Sequence, residues 1–319
     1  MTNDWPQAPS PEGEDSMSLD QTAQWRKTNL AYDDAEWDYP KYTHAVIARG
    51  HALVVELCER LAGEQDGSPT ILDIGCGPAP FYDRLRHVIG TYIGLEPSAD
   101  PLQRAGSGDA KYLVRGSGER LVVADGCVDI ALLIASLDHC LDAEETVRET
   151  FRVLRPGGTA LFLLENRGRL SNGVRAALGM DVGHGDEHLY FFDVDDLLSL
   201  AEPYGEVSFL QSYGFLLGFN WIGSVVPFRV LSMLSSAADA VVGTLFPKRG
   251  QHFIVTVRKH GGDSEAKPLV FLCGTCRTPI EWQGSSCSSC GSSLRWIDGR
   301  ILDALMEEMA GETPREERS

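Results

Sequence analysis

Residues 70–78 read Thr70-Ile71-Leu72-Asp73-Ile74-Gly75-Cys76-Gly77-Pro78. A short apolar run leads directly into two glycines separated by one cysteine. Such a run suits a strand buried on both faces. The glycines let the backbone turn sharply and approach a ligand without side-chain clash. Nineteen residues beyond Gly77 stands Glu96, at the end of the next strand-like run, Thr91–Leu95. An ionised carboxylate is an acceptor-only group, so Glu96 suits the two hydroxyls of a ribose. The dinucleotide fingerprint asks for a third small residue where Pro80 stands. Asp73, just before the loop, repels phosphate and suits an ammonium group. The stretch therefore reads as a site for an adenosine-like ligand at the carboxyl ends of parallel strands.

Further strand-like runs follow at Lys111–Arg115, Val128–Ile134 and Thr159–Leu164, with helical segments such as Glu144–Leu154 between them. This alternation predicts a doubly wound, mostly parallel α/β sheet. Upstream, apolar spacing predicts a helix over His44–Leu61. Downstream, Glu206–Phe215 and His252–Lys259 read as two more strands, and Asp193 as the start of a helix.

Several of these stretches, taken together, resemble class I S-adenosylmethionine-dependent methyltransferases. Leu72-Asp73-Ile74-Gly75-Cys76-Gly77-Pro78 resembles the first motif of that family. Tyr92–Ser98 resembles its ribose-binding strand end, Arg115–Glu119 its adenine loop, Val128–Leu132 its fourth strand, and Arg152–Gly158 the turn before its fifth. The flavour is that of the small-molecule branch similar to ubiquinone and menaquinone methyltransferases. The resemblance covers roughly residues 45–260 and implies a seven-stranded Rossmann-like sheet. It implies cofactor contacts from Asp73, Gly75, Cys76, Gly77, Glu96, Pro97, Ser117, Gly118, Glu119 and Ser136. Ser117 departs from the pattern, since the adenine loop usually carries an aspartate there.

Removing a proton from an amine or hydroxyl acceptor calls for a base. His139, after the fourth strand, is the first candidate, because imidazole titrates near neutrality. A helix-capping structural role is the alternative. Asp138 is expected to orient His139 or to meet a cationic substrate, with a solvated or capping role as the alternative. His188 and Tyr190 form a second candidate pair in Asp186–Phe192, a stretch that such enzymes place over the substrate; the alternative is that Leu189, Phe191 and Phe192 pack the core and His188 bonds a backbone group. The aromatic segment 21–45 is read as a lid, with Tyr32 and Tyr42 as substrate contacts by resemblance. Residues 221–246 are strongly apolar, but Pro227, Arg229 and Asp239 argue against a membrane span. They are read as helices that roof a pocket, form a homo-oligomer contact, cover the C-terminal module or pack in the core. Core packing is the reading given the most weight.

Cys273-x2-Cys276 and Cys287-x2-Cys290 form a tight cluster. Two such knuckles offer four thiolates, the closed shell of a structural zinc site. Residues 268–310 therefore read as a zinc ribbon. Together with Trp296–Leu302 they resemble the small zinc-binding activator subunit of tRNA, ribosomal RNA and release-factor methyltransferases, here fused in cis.

The formal net charge is −18, from 28 Lys and Arg against 46 Asp and Glu. Half of that excess lies in residues 1–20, read as a disordered acidic tail, and 303–319, which ends in a charged tail over 311–319. A broad basic nucleic-acid face or polybasic membrane patch is not expected. Residues 268–302 hold only Arg277, Arg295 and Arg300 as bases. The first 20 residues lack the apolar core of a secretory signal, and the cysteines suit a reducing, cytoplasmic setting. The expectation is a methyltransferase for an oxygen or nitrogen of a small or peptide-derived metabolite in secondary metabolism. A tRNA or translation-factor methyltransferase and a non-catalytic cofactor-binding adaptor are its rivals.

Overall fold

The computed structural model describes residues 19–30, 41–65, 67–177, 188–215, 228–262, 264–306 and 309. Tyr32 and nearly all of the expected acidic tails lie outside these residues, as do Asp186, Glu187 and 221–227. The side chain of Tyr42 is likewise not described.

Strands β1 (Thr70–Ile74), β2 (Thr91–Glu96), β3 (Lys111–Arg115), β4 (Val128–Ile134) and β5 (Leu154–Glu165) pair in parallel, in the order β3-β2-β1-β4-β5. The helices between them are α3 (Pro80–Leu85), α4 (Ala99–Arg104) and α5 (Ala143–Val153). β6 (Gly205–Tyr213) and β7 (His252–Lys259) complete the seven expected strands, β7 running antiparallel to both β5 and β6. The chain reverses on either side of β1, and the crevice at its carboxyl end is where such sheets bind ligands. Central strands such as β1 and β4 are buried almost throughout, which is why they lack polar alternation.

Arg155-Pro156-Gly157-Gly158 is not a turn before β5 but an irregularity within it. Leu154 pairs with Val128, and pairing resumes at Thr159 with Ile130. Asp129 anchors this break: one oxygen accepts from Arg155 Nε at 2.6 Å and the other from the Thr70 amide at 2.8 Å.

Among the described residues the sheet has nine strands rather than seven. The C-terminal module contributes β10 (Arg295–Ile297) and β11 (Ile301–Asp303). β11 lies parallel to β3, with Leu302 opposite Val114. A separate pair, β8 (Phe271–Leu272) and β9 (Pro279–Ile280), carries the first cysteines. The module is thus continuous with the main sheet. Phe271 and Trp282 pack on Tyr112, at 5.3 and 5.0 Å between ring centres. Arg277 donates to the Leu121 carbonyl, Arg300 to those of Gly106 and Gln103, and Arg295 faces Asp303. All three arginines of this stretch therefore have partners within the chain.

The N-terminal helix α1 (Leu19–Trp25) and the turn Arg26–Leu30 lie against the end of the module. Trp25 is buried with Leu141, Leu305 and Met309, and Arg26 donates to the Met309 carbonyl. The long helix α2 (Lys41–Gly63) extends the predicted one at both ends. α6 (Leu170–Ala177) and α7 (Val194–Ala201) follow β5, with Asp193 capping α7.

α8 (Phe228–Leu245) is helical as expected, and several of its described apolar side chains face outward rather than into the core. Its Asp239 is buried and accepts the amides of Gly214 and Phe215. Met233, Val241 and Leu245 are 73%, 66% and 70% exposed. Satisfying the strand end with a carboxylate turns that polar face inward and leaves the apolar face outward. No described residue of α8 lines the cavity at the strand ends. No helix among the described residues is long and apolar enough to cross a membrane.

Candidate functional site

At the end of β1 the chain turns through Gly75, whose φ is +77°, and Gly77, at +51°. The Gly75 and Cys76 amides both donate to the Leu95 carbonyl, tying the loop to β2. Gly75 has no room for a side chain: an added Cβ would overlap Ser136 Cβ. Ser136 in turn donates to the Ile74 carbonyl at 2.7 Å, closing the loop against the end of β4. Glu96 stands across from the loop and accepts the amides of Gly77 and Ser98, each at 3.0 Å. The carboxylate is thereby held in one orientation at the cavity wall.

The loop opens into a cavity of about 520 Å³. Its walls include all ten residues expected at the cofactor: Asp73, Gly75, Cys76, Gly77, Glu96, Pro97, Ser117, Gly118, Glu119 and Ser136. Glu119 also accepts the amides of Leu141 and Asp142, so one oxygen is used in fixing the chain after β4. Its second oxygen is buried without a hydrogen-bond partner among the described residues.

Asp73 is fully buried and accepts a 2.6 Å hydrogen bond from the Tyr92 hydroxyl. Burial pushes its carboxyl up to about 7, against the opposing pull of that bond. The folded chain therefore holds this proton more tightly than the unfolded chain does. The resulting stability is fully present below the ordinary value of 3.8 and is lost as pH rises through about 7. Asp73→Asn, which cannot ionise, is expected to flatten the fall in melting temperature of the ligand-free protein across that window. Parallel melting profiles for the two proteins would show that Asp73 ionises there as freely as in the unfolded chain.

The acceptor side differs from expectation in three respects. His139 lines the cavity as expected. Asp138 does not: it is buried behind the wall, close to His139, and meets His188, with Oδ2 2.8 Å from Nδ1. The reason is backbone pairing, since the amides of Leu189 and Tyr190 both donate to the Asp138 carbonyl and draw His188 in. Tyr190 is also displaced from the expected role. Its hydroxyl donates to the Leu141 carbonyl at 2.6 Å, and the ring packs on the core. His188 lies over His139, ring centres 4.6 Å apart, but is not itself in the cavity wall.

Sequence reading missed His51, Tyr213 and His252, all in the wall. Tyr213 ends β6 and His252 begins β7. The antiparallel register sets them opposite each other, with rings stacked at 5.5 Å. A chemistry-bearing residue at a strand end was the available signal for Tyr213. His252 needed the direction of β7, because it lies at the same edge only by starting its strand there. Burial holds both His51 and His252 below the ordinary imidazole range.

The four cysteines converge, all sulfurs lying within 4.8 Å of one another. Cys276 and Cys287 are 3.6 Å apart, and Cys273 and Cys290 3.8 Å. Four thiolates at zinc bond length sit about 3.8 Å apart on a tetrahedron, so the set fits that ion. Each knuckle closes alike: the amides of Arg277 and Gly291 return to the carbonyls of Cys273 and Cys287. Both residues are left-handed, which Gly291 adopts freely and Arg277 does not. Hydrogen bonds from Thr278 and from the backbone of Cys290 and Ser289 lower the Cys287 thiol to about 6.

Residues 72–162 match the family described as "Methyltransferase domain". The match spans β1 to β5 and includes the glycine loop, Glu96 and the adenine-loop residues. It supports a methyltransferase domain over these residues. An uncharacterized methyltransferase of Mycobacterium ulcerans (strain Agy99) is 34% identical over 127 residues, covering 39% of this chain and 50% of that protein. One from Mycobacterium sp. (strain JLS) is 36% identical over 115 residues, covering 34% and 44%. The chain thus spans about half the length of these relatives. Among solved structures, the YcgJ protein of Bacillus subtilis is 14% identical, with a TM-score of 0.46, and covers 67% of this chain and 100% of its own.

Proposed function

We propose that the protein is an S-adenosylmethionine-dependent methyltransferase whose acceptor is an oxygen or nitrogen of a small or peptide-derived metabolite. The observation that carries this reading is the Gly75–Gly77 loop, which opens with Glu96 into one cavity at the end of β1. The cofactor, when bound, supplies an electrophilic methyl carbon. Glu96, already fixed by two amides, offers its remaining acceptor capacity to ribose hydroxyls. Ser117, Gly118 and Glu119 form the adenine end, and Asp73 the methionine end. The apolar wall, with Ile134, Leu163 and Phe81, keeps water from the reacting centre. His139, steadied from behind by the Asp138–His188 pair, is the group placed to deal with the acceptor's proton.

Cys273, Cys276, Cys287 and Cys290 are proposed to hold one structural zinc. Four thiolates leave no open coordination position, so its contribution is to the fold of the module. Arg277 and Arg300 dock the module on the main sheet and Arg295 faces Asp303 within it, which favours a small acceptor over a nucleic acid.

Calorimetry with S-adenosylhomocysteine tests the reading. The wild type is expected to bind one equivalent. Glu96→Ala is expected to weaken binding by about 1.5–3 kcal/mol, the range for a hydrogen bond to a charged group. No binding by folded wild-type protein sinks the proposal, and unchanged affinity in the variant removes Glu96 from the ribose site.

A further inference from the structure

Asp138, His139 and His188 form a second group with ligand geometry, at the acceptor edge of the cavity and remote in sequence from the cysteines. One carboxylate oxygen and one ring nitrogen from each histidine lie within 4.8 Å of one another. Two imidazoles and a carboxylate make the donor set that first-row divalent cations favour, and it leaves further positions open. The three residues are held from two sides. Leu137–His139 is a single 3₁₀ turn after β4, closed by the His139 amide on the Ser136 carbonyl. The Leu189 and Tyr190 amides, both donating to the Asp138 carbonyl, fix the backbone that carries His188. The second oxygen of Asp138, Oδ1, is buried and has no hydrogen-bond partner among the described residues. A carboxylate oxygen in that state is costly unless a proton donor or cation meets it.

We infer that Asp138, His139 and His188 bind a first-row divalent cation beside the cavity, with open positions for an oxygen of the acceptor. The inference rests on the methyltransferase reading for the identity of the cavity, but the metal site stands on its own donors. A cation there would hold the acceptor oxygen in place and favour its deprotonated form, the proton passing to solvent, so that His139 would act through the metal rather than as the base itself.

The test uses the full chain, stripped with chelator, reloaded with Co2+ and freed of excess metal by gel filtration. Metal per chain is counted by mass spectrometry. Wild type is expected to carry about one equivalent more than either His188→Ala or Asp138→Asn. The thiolate-to-cobalt absorption of the cysteine site is expected to be equal in all three. Equal metal counts in wild type and Asp138→Asn overturn the inference. Asp138→Asn, nearly the same shape as the native residue, carries the comparison if His188→Ala does not fold. S-adenosylhomocysteine titration of the same samples keeps the two readings apart. Cofactor binding without the extra metal rejects the inference alone, and the extra metal without cofactor binding rejects the methyltransferase reading.

Discussion

Gly75→Val is expected to abolish cofactor binding while leaving a folded protein. Two effects add at this position. The backbone sits at a φ of +77°, which a β-branched residue adopts only with strain. The new side chain would also run into Ser136 Cβ, the residue that latches the loop to the end of β4. Relief requires the loop to move, and with it the Gly77 amide that orients Glu96. Affinity for S-adenosylhomocysteine should fall at least roughly 100-fold, or about 2.7 kcal/mol. Calorimetry alongside a melting curve separates this from unfolding. Near-native affinity in a folded variant would mean that the ligand does not sit on the loop.

Cys287→Ser should have its largest effect on stability. With one thiolate gone, the four-sulfur shell cannot close, and much of the folding energy of so small a module comes from metal binding. The consequences reach further than the module. β11 supplies an edge to β3, Phe271 and Trp282 cover Tyr112, and Leu305 and Met309 seat Trp25 at the cavity wall. A loss of zinc, poorer solubility and a melting temperature lower by roughly 5–10 °C are expected. Cofactor affinity should weaken as Trp25 loses its seat. Full metal content and unchanged melting in the variant would exclude the four-thiolate site.

The parts of the molecule legible in advance were those in which short-range spacing dictates chemistry. An apolar strand running into Gly75-Cys76-Gly77 permits few backbone paths, and Glu96 follows because the next parallel strand must return to the same edge. Paired Cys-x2-Cys knuckles bring two sulfurs to one ion whatever surrounds them. The irregularity at Arg155–Gly158 reads as a turn before the fifth strand only through the family resemblance. Its place inside β5 depends on Asp129 holding Arg155 from the neighbouring strand.

His139 reached the cavity wall because the chain after β4 leaves the sheet at its ligand-binding edge. Asp138 and His188 are 50 residues apart, and their pairing follows from two backbone hydrogen bonds that no periodicity announces. Tyr190 shared the reading given to His188, yet one hydrogen bond to Leu141 turns it to the core.

Sequence order alone thus settled the doubly wound strands, the glycine loop with its acidic partner and the sulfur cluster. Each is a consequence of what adjacent residues permit in backbone torsion, strand length and ligand spacing. Tertiary structure alone decided the ring-lined side of the cavity, the Asp138–His188 pair, the exposed apolar face of α8 and the extension of the sheet by β10 and β11. These depend on strand direction, register and competition among distant partners for a few buried positions. Such contacts are made across the fold, and they leave no mark in the local pattern of the chain.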